Sequence, residues 1–332
     1  MKASVVMAVY NGGERMRRTI ESVLAQTEKN FEFICIDDGS TDGISSAILD
    51  EYAEKDPRMV VVHRENRGVC DTLNECHEMA QTEFIARTDQ DDVMHPQLLE
   101  YCLKAVEENG LDFLAFRYAK INPGVPCEFG DVFAGPSLLK TWDIDSKRQD
   151  PAGYCASLGR VHTDTWSHFV RKSLFQNHPI HPEWGLTSPF LRIRDAKRWG
   201  MSDAVLYYYD HGVPTSMMHK PITMQNLKYD MADIDHLLDA YEPERAIGDP
   251  YGEWERLVRA YVIHRMKSTL NKIRRAKGVI PSEERRRLFV ELAKSLRHFF
   301  FDRGIPLRYT RMRHFLSYLY LMVRYHREIK GM

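Results

Sequence analysis

Two hydrophobic periods alternate along the first 120 residues. Short apolar, β-branched runs at Ser4–Tyr10, Phe31–Ile36, Met59–His63, Glu83–Thr88 and Asp112–Tyr118 have the length and composition of buried strands. Between them apolar residues fall at helical spacing. Met16, Ile20, Val23 and Leu24 mark a helix over Glu14–Gln26. Further helices are predicted from Ser40 or Thr41 to Glu54, over Val69–Ala80 and over Leu98–Glu108. This alternation predicts an α/β fold, a mostly parallel sheet flanked by helices. Such sheets bind ligands beyond the carboxyl ends of their strands. Three predicted strands end there in polar clusters: Tyr10-Asn11, Asp37-Asp38-Gly39-Ser40 and Asp89-Gln90-Asp91-Asp92.

The later chain is patterned differently. Residues 120–153 read as loop, and Thr165–Phe175 carries core residues Trp166, Phe169, Val170, Leu174 and Phe175. Ser188-Pro189 suits the cap and first turn of a helix running to Trp199, and Ala204–Tyr209 reads as a strand. From Ile222 the pattern is helical, with breaks at Pro243, Pro250, Gly278–Pro281 and Gly304–Pro306. A catalytic domain over residues 1–220 and a helical region over 221–332 are expected.

Asp89-Gln90-Asp91-Asp92 is the sharpest chemical signal. Its three carboxylates repel one another unless water or a shared cation separates them. Mg2+ and Mn2+ take such oxygens and keep positions open for substrate phosphates. A solvated acidic turn is the plainer alternative. Asp37 and Asp38 suit either a turn and helix cap or acceptors for a ribose hydroxyl or base N–H. No Gly-x-Gly-x-x-Gly follows the first strand and no P-loop sequence occurs, which excludes those two phosphate-binding devices.

Ser4–Asn11, Phe31–Gly43 and Arg67–Glu100 together resemble a family 2 glycosyltransferase of GT-A fold, of the kind that builds bacterial surface polysaccharides. Glu83–Asp92 followed by Pro96 is similar to that family's metal and nucleotide motif in order and context. The likeness covers residues 4–120 and continues more loosely through Thr165–Phe175 and Ala204–Met218. It implies a metal-dependent, inverting transfer from a nucleoside-diphosphate sugar, with a UDP-sugar preferred, to a glycan or lipid-linked acceptor. It also implies roles. Ala8 and Tyr10 would contact the base, Asp38 would accept from it with Asp37 in support, and Arg67 would lie near base or diphosphate. Asp89 would contact ribose or metal, Asp91 would be the main ligand of Mn2+ or Mg2+, and Asp92 would orient the loop. Tyr208-Tyr209-Asp210-His211 ahead of Ser216 matches a family segment that puts His211 at the metal or diphosphate. A hydrogen-bonded loop histidine is the alternative there.

One departure falls on the general base. Inverting members carry an acidic pair at the start of the helix before the last sheet strand. Phe190, Leu191, Arg194 and Trp199-Gly200 match that segment, but the pair's place reads Gly185-Leu186-Thr187-Ser188-Pro189. A serine hydroxyl is no base at neutral pH. Glu183 is the first substitute and Asp195 the second, although Asp195 could instead pair with Arg192, Arg194 or Arg198. Three readings follow: an inverting transferase with a displaced base, a transferase-like partner subunit without turnover, or a nucleotidyltransferase. The last lacks a Gly-rich basic loop, since Asn11-Gly12-Gly13-Glu14 stands in its place.

The net charge of -1 conceals an acidic front and a basic tail. From Tyr251 onward there are 20 Lys and Arg against 7 Asp and Glu, and before it 26 against 40. Within Thr310–Ile329, Phe315, Leu316, Leu319, Met322 and Val323 fall at helical intervals with arginines at both ends. A basic amphipathic helix suits an anionic membrane interface. It equally suits packing on an acidic surface or on another copy of the chain. No nucleic-acid-binding signature accompanies it. The chain has no run of about 18 apolar residues. It also has no basic-then-apolar leader, and its six cysteines are dispersed without a Cys-x-x-Cys pair. A cytoplasmic protein, at the membrane's cytoplasmic face if the tail binds lipid, is expected.

Overall fold

A computed structural model describes residues 1–122, 126–134, 139–150, 161, 165–182, 187–212, 222–246, 266, 268–299, 320 and 323. The chain forms two compact units. The first takes in Met1–Gln149, Arg160–His181 and Ser188–Pro214, and the second the chain from Thr215 on with two short segments before it.

Nine strands are found among the described residues of the first unit: β1 (Ala3–Val9), β2 (Phe31–Asp38), β3 (Met59–Arg64), β4 (Phe84–Arg87), β5 (Val93–Met94), β6 (Phe113–Ile121), β7 (Leu139–Asp143), β8 (His168–Arg171) and β9 (Arg198–Asp210). The helices are α1 (Met16–Leu24), α2 (Ser45–Lys55), α3 (Val69–Met79), α4 (Leu98–Asn109), α5 (Ile144–Gln149), α6 (Lys172–Asn177) and α7 (Thr187–Asp195). Strands β3-β2-β1-β4 are parallel, in that order. Every residue of β2 is buried and nearly every one of β1, as strands between two helical layers must be.

The α/β class expected from the alternating periods is present, and beyond β4 the sheet becomes mixed. β8 inserts between β4 and β6, antiparallel to both. β9 runs parallel to β6, with β5 and β7 antiparallel to it. Four residues of β8 are too few to show strand alternation, so the sequence marked that stretch only as core. The helix predicted to reach Trp199 stops at Asp195, because residues 198–210 pair with β6 and β7. Gly200 permits that pairing, since a Cβ there would lie 2.8 Å from Leu111 Cδ1.

His77 on α3 is buried and stacks on Phe175 of α6 at 3.8 Å, and neither ring nitrogen has a hydrogen-bond partner among the described residues. Burial, then the charges of Arg192 and Arg87, hold its pKa well below the usual histidine value. The folded state therefore cannot take the proton that the unfolded chain accepts below about pH 6.5. Stability is unaffected above that pH and falls as pH drops beneath it, by about 1.4 kcal/mol per pH unit from this group. His77→Leu should flatten the acid limb of urea-unfolding stability between pH 7 and 5 by that amount.

The second unit contains α8 (Met224–Ala246), helical residues 268–275 and α9 (Ser282–Arg297). Its core gathers Leu227, Ile234, Leu270, Ile273, Leu288, Leu292 and Phe299. Among the described residues no helix is long and apolar enough to cross a membrane. Most of the predicted basic amphipathic stretch, Thr310–Ile329, lies outside the described residues.

Candidate active site

Parallel pairing puts the carboxyl ends of β2, β1 and β4 side by side, so the three polar clusters meet on one rim. Hydrogen bonds join them. The Gln90 side chain accepts from Tyr10 N–H at 3.0 Å and donates to Tyr10 C=O at 3.1 Å, clamping the end of β1 to the loop after β4. Asn11 N–H donates to Ser40 Oγ at 3.0 Å, and Asn11 Oδ1 accepts from Thr41 N–H at 2.7 Å. These contacts keep residues 40–44 out of the helix that Ser40 or Thr41 was expected to cap. Asp42 caps α2 instead, accepting from Ser45 N–H at 3.0 Å.

Asp37 and Asp38 are both buried, and each holds its surroundings. Asp37 accepts from Ser40 N–H at 3.0 Å and bonds His63 Nδ1 at 3.0 Å, while the other nitrogen of that ring meets Asp50 at 2.9 Å. Burial alone would raise the pKa of Asp37, but its bonds to Ser40, Ser46 and His63 outweigh that and hold it low. Asp38 accepts from Arg67 N–H at 2.9 Å and Gly68 N–H at 2.8 Å, and Arg64 sits 3.1 Å away. Asp38 thus closes the turn that carries the exposed Arg67 side chain. Gly39 makes the approach of the two loops possible: its φ is +74° and a Cβ would lie 2.8 Å from Asn66 N. Ala8 is half-buried near the end of β1, and Tyr10 beyond it is 48% exposed.

The loop after β4 carries the acidic run. Asp89 pairs with Arg87, and its N–H donates to Tyr207 Oη at 3.0 Å. Asp92 is fully buried and accepts from Tyr207 Oη at 2.7 Å and from Asp210 N–H at 2.8 Å. Asp92 therefore faces inward and frames the loop. Burial first, then Asp89 and Asp210, push the pKa of Asp91 up to about 6. Arg15 offsets this only in part, and a nearby cation would favour the ionised form further. Among the described residues no three His, Cys, Asp or Glu side chains converge as a metal cage. One or two carboxylates completed by phosphate oxygens are what Mg2+ sites commonly use, so Asp91 and Asp89 fit such an ion.

His211 follows Asp210, and its Nδ1 lies 2.8 Å from Ile121 C=O. A histidine donating one nitrogen to a carbonyl presents the other as acceptor, the arrangement typical of metal ligands. The two candidate bases fare differently. Glu183 lies outside the described residues. Asp195 closes α7, ahead of β9. It bonds His178 Nε2 at 2.6 Å and Arg194 Nε at 2.8 Å, just before β9 starts. β9 runs parallel to β6 and ends at Asp210 beside Asp92, so Asp195, ahead of its first residue, lies toward the end of the sheet opposite the acidic loop. Its sequence position, one or two turns into the helix, does not show which end of the sheet it faces. Asp195→Asn should leave whatever turnover the rim supports within about twofold of wild type in a steady-state assay, the range of ordinary surface substitutions.

Sequence reasoning did not single out Gln90, Arg64, Tyr207 or Asp210. Gln90 was legible as the residue between two carboxylates. The others lie far along the chain from the groups they hold, and no local signal marks them.

Fold and rim define the class: an α/β sheet whose parallel strands end in one joined polar rim, the place where sheets of this kind bind ligands. Residues 4–132 match the model of Glycosyl transferase family 2, and the chain carries a domain of that family there. Putative glycosyltransferase EpsH of Bacillus subtilis is 34% identical over 183 residues, covering 53% of this chain and 49% of that protein. Glycosyltransferase GlyG of Streptococcus pneumoniae is 35% identical over 116 residues, 35% of this chain and 38% of the relative. In an uncharacterized glycosyltransferase of Rickettsia felis the matched part is 20% of the protein. The chain thus spans between a fifth and about half of the length of these relatives. Among solved structures, S. aureus TarS 1-349 in complex with UDP-GlcNAc superposes with a TM-score of 0.69 at 16% identity, covering 98% of this chain and 92% of that one. Mannosyltransferase PcManGT from Pyrobaculum calidifontis, in complex with GDP-Man and Mn2+, gives 0.50 at 12% identity over 97% and 87% of the two chains. Both share the GT-A fold.

Proposed function

We propose that the protein transfers a sugar from a nucleoside-diphosphate donor to a glycan or lipid-linked acceptor, with inversion at the anomeric carbon. The observation that carries this reading is the joined rim, where Gln90 locks the acidic loop to the exposed Tyr10 and Asp38 holds the turn of Arg67. Donor-bound proteins of the same fold support it, one with UDP-GlcNAc and one with GDP-Man and Mn2+.

On this reading Tyr10 and Ala8 line the base, and Asp38 orients the turn beside it with lone pairs left for a base N–H. Arg67 offers its guanidinium to the diphosphate. A Mn2+ or Mg2+ ion held by Asp91, with Asp89 and His211 beside it, would neutralise charge developing on the leaving diphosphate. The acceptor hydroxyl attacks opposite that leaving group and gives its proton to a carboxylate, for which Glu183 remains the candidate. The division of labour proposed along the chain is a catalytic part over residues 1–220 and a basic helical part over 221–332 that meets membrane or another copy.

A thermal-shift panel of UDP-, GDP-, CMP- and TDP-sugars with and without Mn2+ tests the reading. One nucleoside-diphosphate sugar, UDP-linked by preference, should raise the unfolding midpoint more with Mn2+ than without, as linkage requires. It should then be consumed when acceptor is added. A flat panel would remove the proposal.

A further inference from the structure

We infer that Tyr207 is a positioning residue of this site: its phenol, fixed inside the sheet, sets the loop 89–92 in the shape that presents Asp89 and Asp91. The inference rests on reading the rim as a donor and cation site.

The phenol is anchored on every side. Tyr207 is fully buried, and its backbone stands in register with Met94 of β5 and Tyr118 of β6. Its ring stacks on Trp166 with centroids 4.6 Å apart and planes 13° from parallel. Trp166 also stacks on Tyr209, 5.6 Å away, and meets Tyr118 edge-on at 4.7 Å. The hydroxyl cannot shift without moving these strands and rings.

That hydroxyl reaches both ends of the acidic loop. Its proton goes to Asp92 Oδ2 at 2.7 Å, and a lone pair takes Asp89 N–H at 3.0 Å. Asp92 Oδ1 is held in turn by Asp210 N–H at 2.8 Å. The residues that open and close the loop are thus fixed to β9, while Gln90 is fixed to β1. Asp91 receives no such tie from these groups, so its direction follows from the three residues around it. Tyr207 touches neither donor nor acceptor on this reading and acts through the loop. Groups that orient a metal's ligands typically alter affinity by about 10–100-fold when removed.

Tyr207→Phe removes the hydroxyl and keeps the ring stack. Mn2+ binding in the presence of UDP or GDP, followed by electron paramagnetic resonance, should weaken at least about tenfold. Amide exchange of residues 88–94 should quicken. Tyr101→Phe is the structural control: that buried tyrosine of α4 loses its hydrogen bond to Ser202 of β9, at 2.6 Å. It should lower the unfolding midpoint comparably and leave Mn2+ affinity at the wild-type value. If Tyr207→Phe does not fold, Asp92→Asn leaves one oxygen for two donors, the Tyr207 hydroxyl and Asp210 N–H, and should weaken Mn2+ by a similar factor. Wild-type affinity in the variant that folds, or equal weakening in Tyr101→Phe, overturns the inference. A wild-type protein that binds no Mn2+ with either nucleotide overturns the donor-site reading itself, and this inference with it.

Discussion

Asp91→Asn is expected to reduce sugar transfer by about a thousandfold or more while making the metal-free protein more stable. On the proposed function, the first effect follows from removing the carboxylate that would hold a cation against the leaving diphosphate, a contribution of several kcal/mol to the transition state. The second follows from its electrostatics. Burial and the neighbouring charges of Asp89 and Asp210 raise the Asp91 pKa from an ordinary carboxylate value to about 6. A group whose pKa is raised on folding favours the folded state fully below its unfolded pKa, and that contribution is lost as pH rises through about 6. At pH 8 the ionised carboxylate therefore opposes folding, and the neutral amide should relieve this by on the order of 2 kcal/mol. Thermal melts in chelator should show the variant above wild type at pH 8 and the gap closing toward pH 4. Adding Mn2+ with nucleotide should lift only the wild type. A variant melting below wild type in chelator at pH 8 would show that Asp91 is a supporting structural group.

Asp38→Ala should act in the opposite direction, lowering stability and nucleotide binding together. Both oxygens of Asp38 accept backbone N–H groups of the turn, and Arg64 lies alongside with only 8% of its side chain exposed. Truncation orphans two donors and leaves Arg64 with Glu75, 3.4 Å away, as its remaining carboxylate. Together these should cost about 2–4 kcal/mol. Arg67 would then lose its fixed place, so nucleotide affinity should fall even at temperatures where the variant is folded. Urea unfolding measures the first effect and calorimetric titration with UDP and GDP the second. Stability within about 0.5 kcal/mol of wild type, the range of ordinary surface substitutions, would mean that the turn holds without Asp38.

The contrast between these two aspartates was invisible in the sequence. Both lie in acidic clusters after strands, and both carried ligand roles through family resemblance. Which one is satisfied by the protein and which has its charge offset only in part depends on backbone N–H groups some thirty residues away. Asp195 shows the same limit. Its position in a helix near a matched family segment put it close to the site, and the strand that follows carries the site to the far end of the sheet.

The alternation of short β-branched runs with helical spacing is a local property, and by itself it determined the parallel half of the sheet and the rim where its polar ends meet. The packed carboxylates of Asp89, Asp91 and Asp92 likewise marked their loop as chemically unusual, because their repulsion needs no partner to be recognised. Tertiary structure alone decided how that loop is held. Tyr207 is one of three consecutive tyrosines, and the register of β9 against β5 and β6 turns its hydroxyl toward Asp89 and Asp92. Strand register and crossover are set by contacts between residues far apart in the chain, so no window of the sequence contains them.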